Sequence, residues 1–186
     1  TQTPHRLFQE NKLEHLVPFQ HQDMDKWRDS LHHGLMKRFG STSIILTGGV
    51  DDIWQNTLNG KLVVVDYKSQ ANTKSLDPES YLSDAYKTGY KIQMDFYAYL
   101  LQQMGFEVED TAYFLVCNAD RNADGFYGTM AFSETFIPYH WKSDWIHDKV
   151  EEMIDLLNSN TVPQAHPSCK NCAYAMQRAE YEILKS

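Results

Sequence analysis

Residues 44–68 read IILTGGVDDIWQNTLNGKLVVVDYK, and the reading of this stretch decides the fold. Two strand-like runs flank Asn59-Gly60, the strongest short hairpin signal in the chain. The return run, Leu62 to Val65, is apolar on both faces, as in a strand buried at the centre of a sheet. With Asn59 and Gly60 at the centre of a type I′ turn, Leu58 faces Lys61, Trp54 faces Val65, Ile53 faces Asp66 and Asp51 faces Lys68. Side chains alternate faces along a strand, and opposed residues share one. Asp51, Asp66 and Lys68 therefore project from one side, and Asp52 from the other. The deduction requires a hairpin without a bulge.

Two carboxylates on one face, about 5–8 Å apart at the backbone, can share a hard cation. Mg²⁺ takes one or two carboxylates and leaves its other positions to water and substrate phosphate. Such an ion activates a water and stabilises the charge that builds in an in-line displacement at a phosphodiester. Lys68 beside it supplies a compact positive charge, placed to orient the attacking water or balance the phosphorane. The plainer reading of the same face is a solvated salt bridge between Asp51 and Lys68, which contributes little. Against it, charges at the end of a buried strand are costly unless paired or metal-bound.

Outward from the hairpin, Met24, Trp27, Leu31, Leu35 and Phe39 recur at steps of three and four, which predicts an amphipathic helix over residues 23–39, stopped by Gly40. Residues 43–46, 50–57 and 61–68 read as three strand segments, and residues 69–80 as a polar loop. A short helix is expected over 81–87 and a clearer one over 91–104, ended by Gly105. Strands over 111–116 and 130–139 enclose a polar loop, and a helix follows over 144–158 with Trp145, Val150, Ile154 and Leu157 inward. A tail with Pro and Cys leads to a short helix over 174–184. The order implies a mixed α/β (α+β) fold, a central mixed sheet flanked by helices. Residues 1–160 are expected to form one domain, with residues 161–186 as a tail packed on it.

Three ordered motifs carry a resemblance. Gly48-Gly49-Val50-Asp51, Val65-Asp66-Tyr67-Lys68 and Gln93-Met94-Asp95-Phe96-Tyr97 resemble the Gly-x-x-Asp, Asp-x-Lys and Gln-x-x-x-Tyr motifs of the RecB-like branch of the PD-(D/E)XK nucleases, over roughly residues 44–175. The resemblance implies a restriction-endonuclease-like core of order α-β-β-β-α-β with C-terminal helices, and cleavage of DNA with Mg²⁺ or Mn²⁺. It makes Asp51 and Asp66 metal ligands, the Tyr67 carbonyl a third, and Lys68 the catalytic lysine. Gln93 and Tyr97, one helical turn apart, share a face, and the resemblance sets them at the edge of the site against DNA. It also implies an acidic residue or His on the first helix. His21, His32, His33, Glu10 and Glu14 are the residues on offer, and each reads as a surface position.

Cys169-Lys170-Asn171-Cys172 resembles the tail in which CRISPR-associated and helicase-linked relatives hold an iron–sulfur cluster. Four ligands are normal for zinc or iron. The remaining cysteine, Cys117, sits in an apolar strand, so no cluster is expected here. Three cysteines make no disulfide framework, and the expected setting is the reducing cytoplasm. The chain opens at Thr1 rather than Met, as a fragment or trimmed form would, and no apolar run is long enough to cross a membrane. A net charge of −8 argues against a broad face for nucleic acid but leaves room for a local groove. The expected function is a metal-dependent DNA nuclease in repair, recombination or CRISPR-type processing. Its partners would be single- or double-stranded DNA and a helicase or other upstream domain or subunit. Two other readings remain: an inactive nuclease-fold module that binds DNA or a protein partner, and a restriction-type or RNA-directed hydrolase sharing the core.

Overall fold

The computed structural model of the chain describes residues 6–73, 76–125 and 127–184. In chain order the elements are α1 (Arg6–Glu10), β1 (Leu16–Pro18), α2 (Met24–Arg28), β2 (Leu35–Arg38), β3 (Ile45–Gly48), β4 (Asp52–Asn56), β5 (Leu62–Asn72), α3 (Thr88–Gln103), β6 (Thr111–Asp120), β7 (Phe132–His140), α4 (Asp144–Asn158) and α5 (Lys170–Ile183). A single 3₁₀ turn, Ala85–Lys87, leads into α3. Five strands form one mixed sheet in the order β1-β4-β5-β6-β7, and β2 and β3 pair as a separate ribbon. Among the described strands only β5 and β6 pair in parallel, joined by the crossover through α3. This is the mixed sheet flanked by helices that the element pattern implied.

The strand β5 is central for a reason visible in its composition. Leu62, Val63, Val64, Val65 and Asp66 are all buried, so both of its faces are covered. Leu62 and Val64 join a core with Met94, Ala98, Leu100 and Leu101 of α3. Val63 and Val65 pack on the opposite face with Trp54, Phe136, Leu13 and Leu16, against which Leu7 and Phe8 of α1 are laid. Asp66 falls on the α3 side by the two-residue alternation of the strand.

The hairpin register differs from the expected one by two residues. Asp52 pairs with Val65, Ile53 with Val64, Trp54 with Val63 and Gln55 with Leu62. Asn56 N–H donates to Lys61 O at 2.9 Å and Gly60 N–H to Asn56 O at 2.7 Å, which closes a loop over residues 57–60. A type I′ turn needs positive φ at both central residues, but only Gly60 adopts it, at 80°. The side chain of Asn59 instead accepts from Lys61 N–H at 3.0 Å and donates to Glu109 at 2.7 Å. An even shift leaves every side chain on its expected face. It removes the pairing of Asp51 with Lys68, and continuing the ladder by one step sets Asp51 across from Asp66.

The long helix expected over residues 23–39 is absent. It ends at Arg28, and Leu35 to Arg38 is strand β2. The Asp29 carboxylate accepts from the N–H groups of Leu31 and His32 and faces the rings of His32 and His33, a local network that competes with helix continuation. Leu31 is left 87% exposed, although its spacing suited a buried face. Strand β5 extends through Asn72 into the expected polar loop, of which residues 74–75 lie outside the described residues. Helix α4 has the expected bounds, but Leu157 is exposed, and Ile146 is buried where Trp145 was expected. The chain divides into two compact units, residues 1–146 and 147–186.

Candidate active site

Pairing of β4 with β5 stops at Asp52 and Val65, while β6 continues beside β5 through Asn72. Beyond Val65, one edge of β5 therefore has no strand partner in β4. The Asp51 carboxylate takes that place: its Oδ2 accepts the Tyr67 N–H at 2.8 Å. The N–H and carbonyl of one strand residue leave the chain on the same side, so the Tyr67 carbonyl also points toward Asp51. The stretch Asp51, Asp66 and Tyr67 thus gathers two carboxylates and a backbone oxygen where the ladder opens.

Asp66 is wholly buried, at 0% exposure. Neither of its oxygens receives a hydrogen bond from the described residues. Lys68 Nζ stands 2.6 Å from Asp66 Oδ2 and forms an ion pair with it. Burial pushes the Asp66 carboxyl above its ordinary value. The Lys68 ammonium opposes that rise, and the charge of Asp51 adds to it. Buried carboxylate oxygens are nearly always satisfied, so an unpartnered Oδ1 beside a second carboxylate is a fit for a hard cation.

Lys68 is held on three sides. Beyond Asp66, its ammonium donates to Gln93 Oε1 at 3.2 Å and lies 4.4 Å from the centre of the Tyr90 ring. Gln93 Nε2 in turn donates to the Tyr97 hydroxyl at 2.9 Å. Asp66, Lys68, Gln93 and Tyr97 are therefore one connected line of side chains from β5 to α3. Burial raises the Tyr97 hydroxyl above its ordinary value; the Gln93 bond opposes this, and the charges of Asp66 and Asp51 reinforce it. The Tyr97 ring lies against Gly48, where a Cβ would come within 2.7 Å of Tyr97 Cε1. The glycine before Asp51 is thus a packing requirement of the tyrosine on α3.

Asp52 faces away, as expected, and it belongs to a network that sequence reasoning missed. Its carboxylate accepts from Arg28 Nη2 at 2.5 Å, the Tyr67 hydroxyl at 2.7 Å and Trp54 Nε1 at 3.1 Å. Arg28 Nε also donates to the Asp51 carbonyl at 3.2 Å. The network ties both ends of the Asp51–Tyr67 junction from behind. The adjacent acids at 51 and 52 hinted at two environments, but nothing local marked Arg28 as the partner.

The residues on offer for the first-helix position lie elsewhere. The His21 ring stacks on Trp27 with centroids 4.3 Å apart. His32 and His33 bracket Asp29, and His33 foremost holds its carboxyl down to about 2. Glu10 pairs with Arg6 at 3.4 Å. Among the described residues no group of three His, Cys, Asp or Glu side chains comes together around a common point. In the second unit, Cys169 caps α5 by accepting from Cys172 N–H, and the two sulfurs stand 2.9 Å apart. Cys117 Sγ lies 3.8 Å from a Glu134 oxygen, and burial raises its thiol.

The family model of the PD-(D/E)XK nuclease superfamily matches residues 2–177. Comparison with curated proteins and with solved structures found no significant match.

Proposed function

Because this chain belongs to the PD-(D/E)XK nuclease superfamily, we propose that it hydrolyses phosphodiester bonds of DNA at the Asp51–Asp66–Lys68 cluster. The observation that carries the reading is Asp66, a fully buried carboxylate paired with Lys68 through Oδ2 and left without a partner at Oδ1, beside a second carboxylate. Asp51, Asp66 and the Tyr67 carbonyl would hold Mg²⁺ or Mn²⁺, since all three are hard oxygen donors. When bound, the ion supplies activation of water and neutralisation of developing phosphoryl charge.

The chain's own groups do the rest. Gln93 and the Tyr90 ring fix the direction of the Lys68 ammonium, so its charge is placed before the substrate arrives. Such preorganised charge acts on a developing anion without reorganisation cost at the moment of reaction. Tyr97 holds Gln93, and Arg28 with Asp52 holds the backbone of Asp51. Gln93 and Tyr97 line the α3 side, where they would meet the DNA. The order of the three motifs supports placement in the RecB-like branch, and an upstream helicase rests on that resemblance alone. No described helix is long and apolar enough to cross a membrane.

A second reading, a catalytically silent module that binds DNA or a protein partner, is favoured by one observation: among the described residues no third His, Asp or Glu joins the two carboxylates. Calorimetric Mn²⁺ titration and cleavage of labelled single- and double-stranded DNA separate the two. Metal binding with cutting supports the nuclease; DNA binding without cutting in either metal supports the silent module.

A further inference from the structure

We propose that Lys87 and Tyr86, on the turn leading into α3, form a second nucleic-acid subsite beside Lys68. Lys87 takes the phosphate next to the scissile one, and Tyr86 stacks the base of that nucleotide. The proposal rests on the nuclease reading of the neighbouring site.

The Lys87 ammonium sits in an aromatic corner. It lies 4.3 Å from the centre of the Tyr81 ring, 4.7 Å from that of Tyr90 and 5.8 Å from that of Tyr86. It donates to the Tyr81 hydroxyl at 3.2 Å, and among the described residues no carboxylate pairs with it. Lys68 lies 4.4 Å from the centre of the same Tyr90 ring, so both ammonium groups contact one ring. Rings attract both cations without neutralising them. Lys68 is paired with Asp66, whereas Lys87 keeps its positive charge for an anion, on a chain whose net charge is −8. An unneutralised cation that shares a ring with Lys68 suits a ligand that carries a charge at every unit, as a nucleic-acid strand does.

Tyr86 supplies the second observation. It is 76% exposed, and its ring stands at 69° to that of Tyr90. The turn beneath it is built rather than loose, because the Asp84 carboxylate accepts the Tyr86 N–H at 2.9 Å. A fixed, exposed ring beside a cation is the arrangement on which unpaired bases stack. The ligand is thus single-stranded nucleic acid, running from the Asp66–Lys68 cluster across Tyr90 to Lys87 and Tyr86.

The test is fluorescence anisotropy with a labelled oligothymidylate in EDTA, over a series of salt concentrations, using the full chain. Lys87→Gln should lower the slope of log affinity against log salt by about 0.7. Tyr86→Ala, at an exposed position that leaves the melting temperature unchanged, should weaken single-strand binding roughly tenfold and spare blunt duplex. A Lys87→Gln protein with unchanged slope and affinity overturns the phosphate assignment, and Lys87 is then a staple of the turn. Equal losses on single strand and duplex overturn the stacking assignment. Wild type that cuts DNA while both variants bind as it does refutes only this subsite. Wild type that neither binds nor cuts nucleic acid refutes the nuclease reading as well.

Discussion

Replacing Asp66 by Asn should make the metal-free protein more stable while disabling its site. The wild-type carboxylate is fully buried; Oδ2 is ion-paired with Lys68 at 2.6 Å, and Oδ1 has no partner among the described residues. Leaving such a group buried and unsatisfied costs about 1–3 kcal/mol, more when it is charged. Asn keeps the shape and removes the charge. The loss is the contact with Lys68, whose side chain is 18% exposed and retains Gln93 and Tyr90. Lys68 offsets only part of the desolvation, since the Asp66 carboxyl stays above its ordinary value with the ammonium beside it. The net gain is then about 1–2 kcal/mol, or roughly 2–8 °C in melting temperature for a chain of this size. The sign with pH follows from burial, which raises the folded carboxyl above the ordinary 3.8. The folded state binds more protons than the unfolded one in that window, so wild-type stability falls as pH rises from 3.8 through the raised value. The advantage of the variant should therefore be absent in acid and grow toward neutrality. Differential scanning fluorimetry in EDTA across pH reads this directly. Repeating it with Mn²⁺ at a hundredfold excess over its dissociation constant should add about 2.7 kcal/mol to wild type alone. A variant that melts below wild type at every pH in EDTA would show Asp66 to be a net stabilising structural partner of Lys68.

Lys68→Ala should lower the cleavage rate about 10²–10³-fold while the melting temperature moves by no more than a few degrees; parallel rate, melting and Mn²⁺-affinity measurements check it. Gly48→Ala forces a Cβ to within 2.7 Å of Tyr97 Cε1, so it should destabilise by about 1–3 kcal/mol and reduce activity, with Tyr97→Leu in the same background recovering part of the stability and none of the activity. Among the cysteines, Cys169 is held low by the bonds it accepts from Cys172, while the same contact raises Cys172 and burial raises Cys117. Iodoacetamide at neutral pH should therefore alkylate Cys169 first, as read by peptide mapping.

The site was legible where the periodicity of a strand carries the information. Alternation put Asp52 on the face opposite Asp66, and that parity survived a register shifted by two residues; Asp51 lies beyond the end of the ladder, with its carboxylate on the Tyr67 N–H. The register itself was not legible, because Asn59 suits a left-handed turn yet spends its side chain on Lys61 and on the distant Glu109. Spacing on a helix likewise brought Gln93 to Tyr97. The same kind of spacing misled over residues 23–39, where the Asp29 side chain caps the chain's own backbone and Leu35 begins a strand. Arg28 and Tyr90 reach the site through tertiary contacts, whereas the corner around Lys87 is built from its sequence neighbours Tyr81, Tyr86 and Tyr90. No local pattern announces a cation whose partners lie in other elements.

The proposed role of Asp51 and Asp66 is to hold together the divalent ion on which phosphodiester hydrolysis depends. Its most direct test is single-turnover cleavage of an end-labelled DNA strand by wild type and Asp66→Asn, each with Mn²⁺ and with EDTA, on protein whose melting curve has been recorded. Cleavage by wild type in Mn²⁺ alone, with none by the stably folded variant, is the expected result. Equal cleavage by Asp66→Asn and wild type in Mn²⁺ would contradict it.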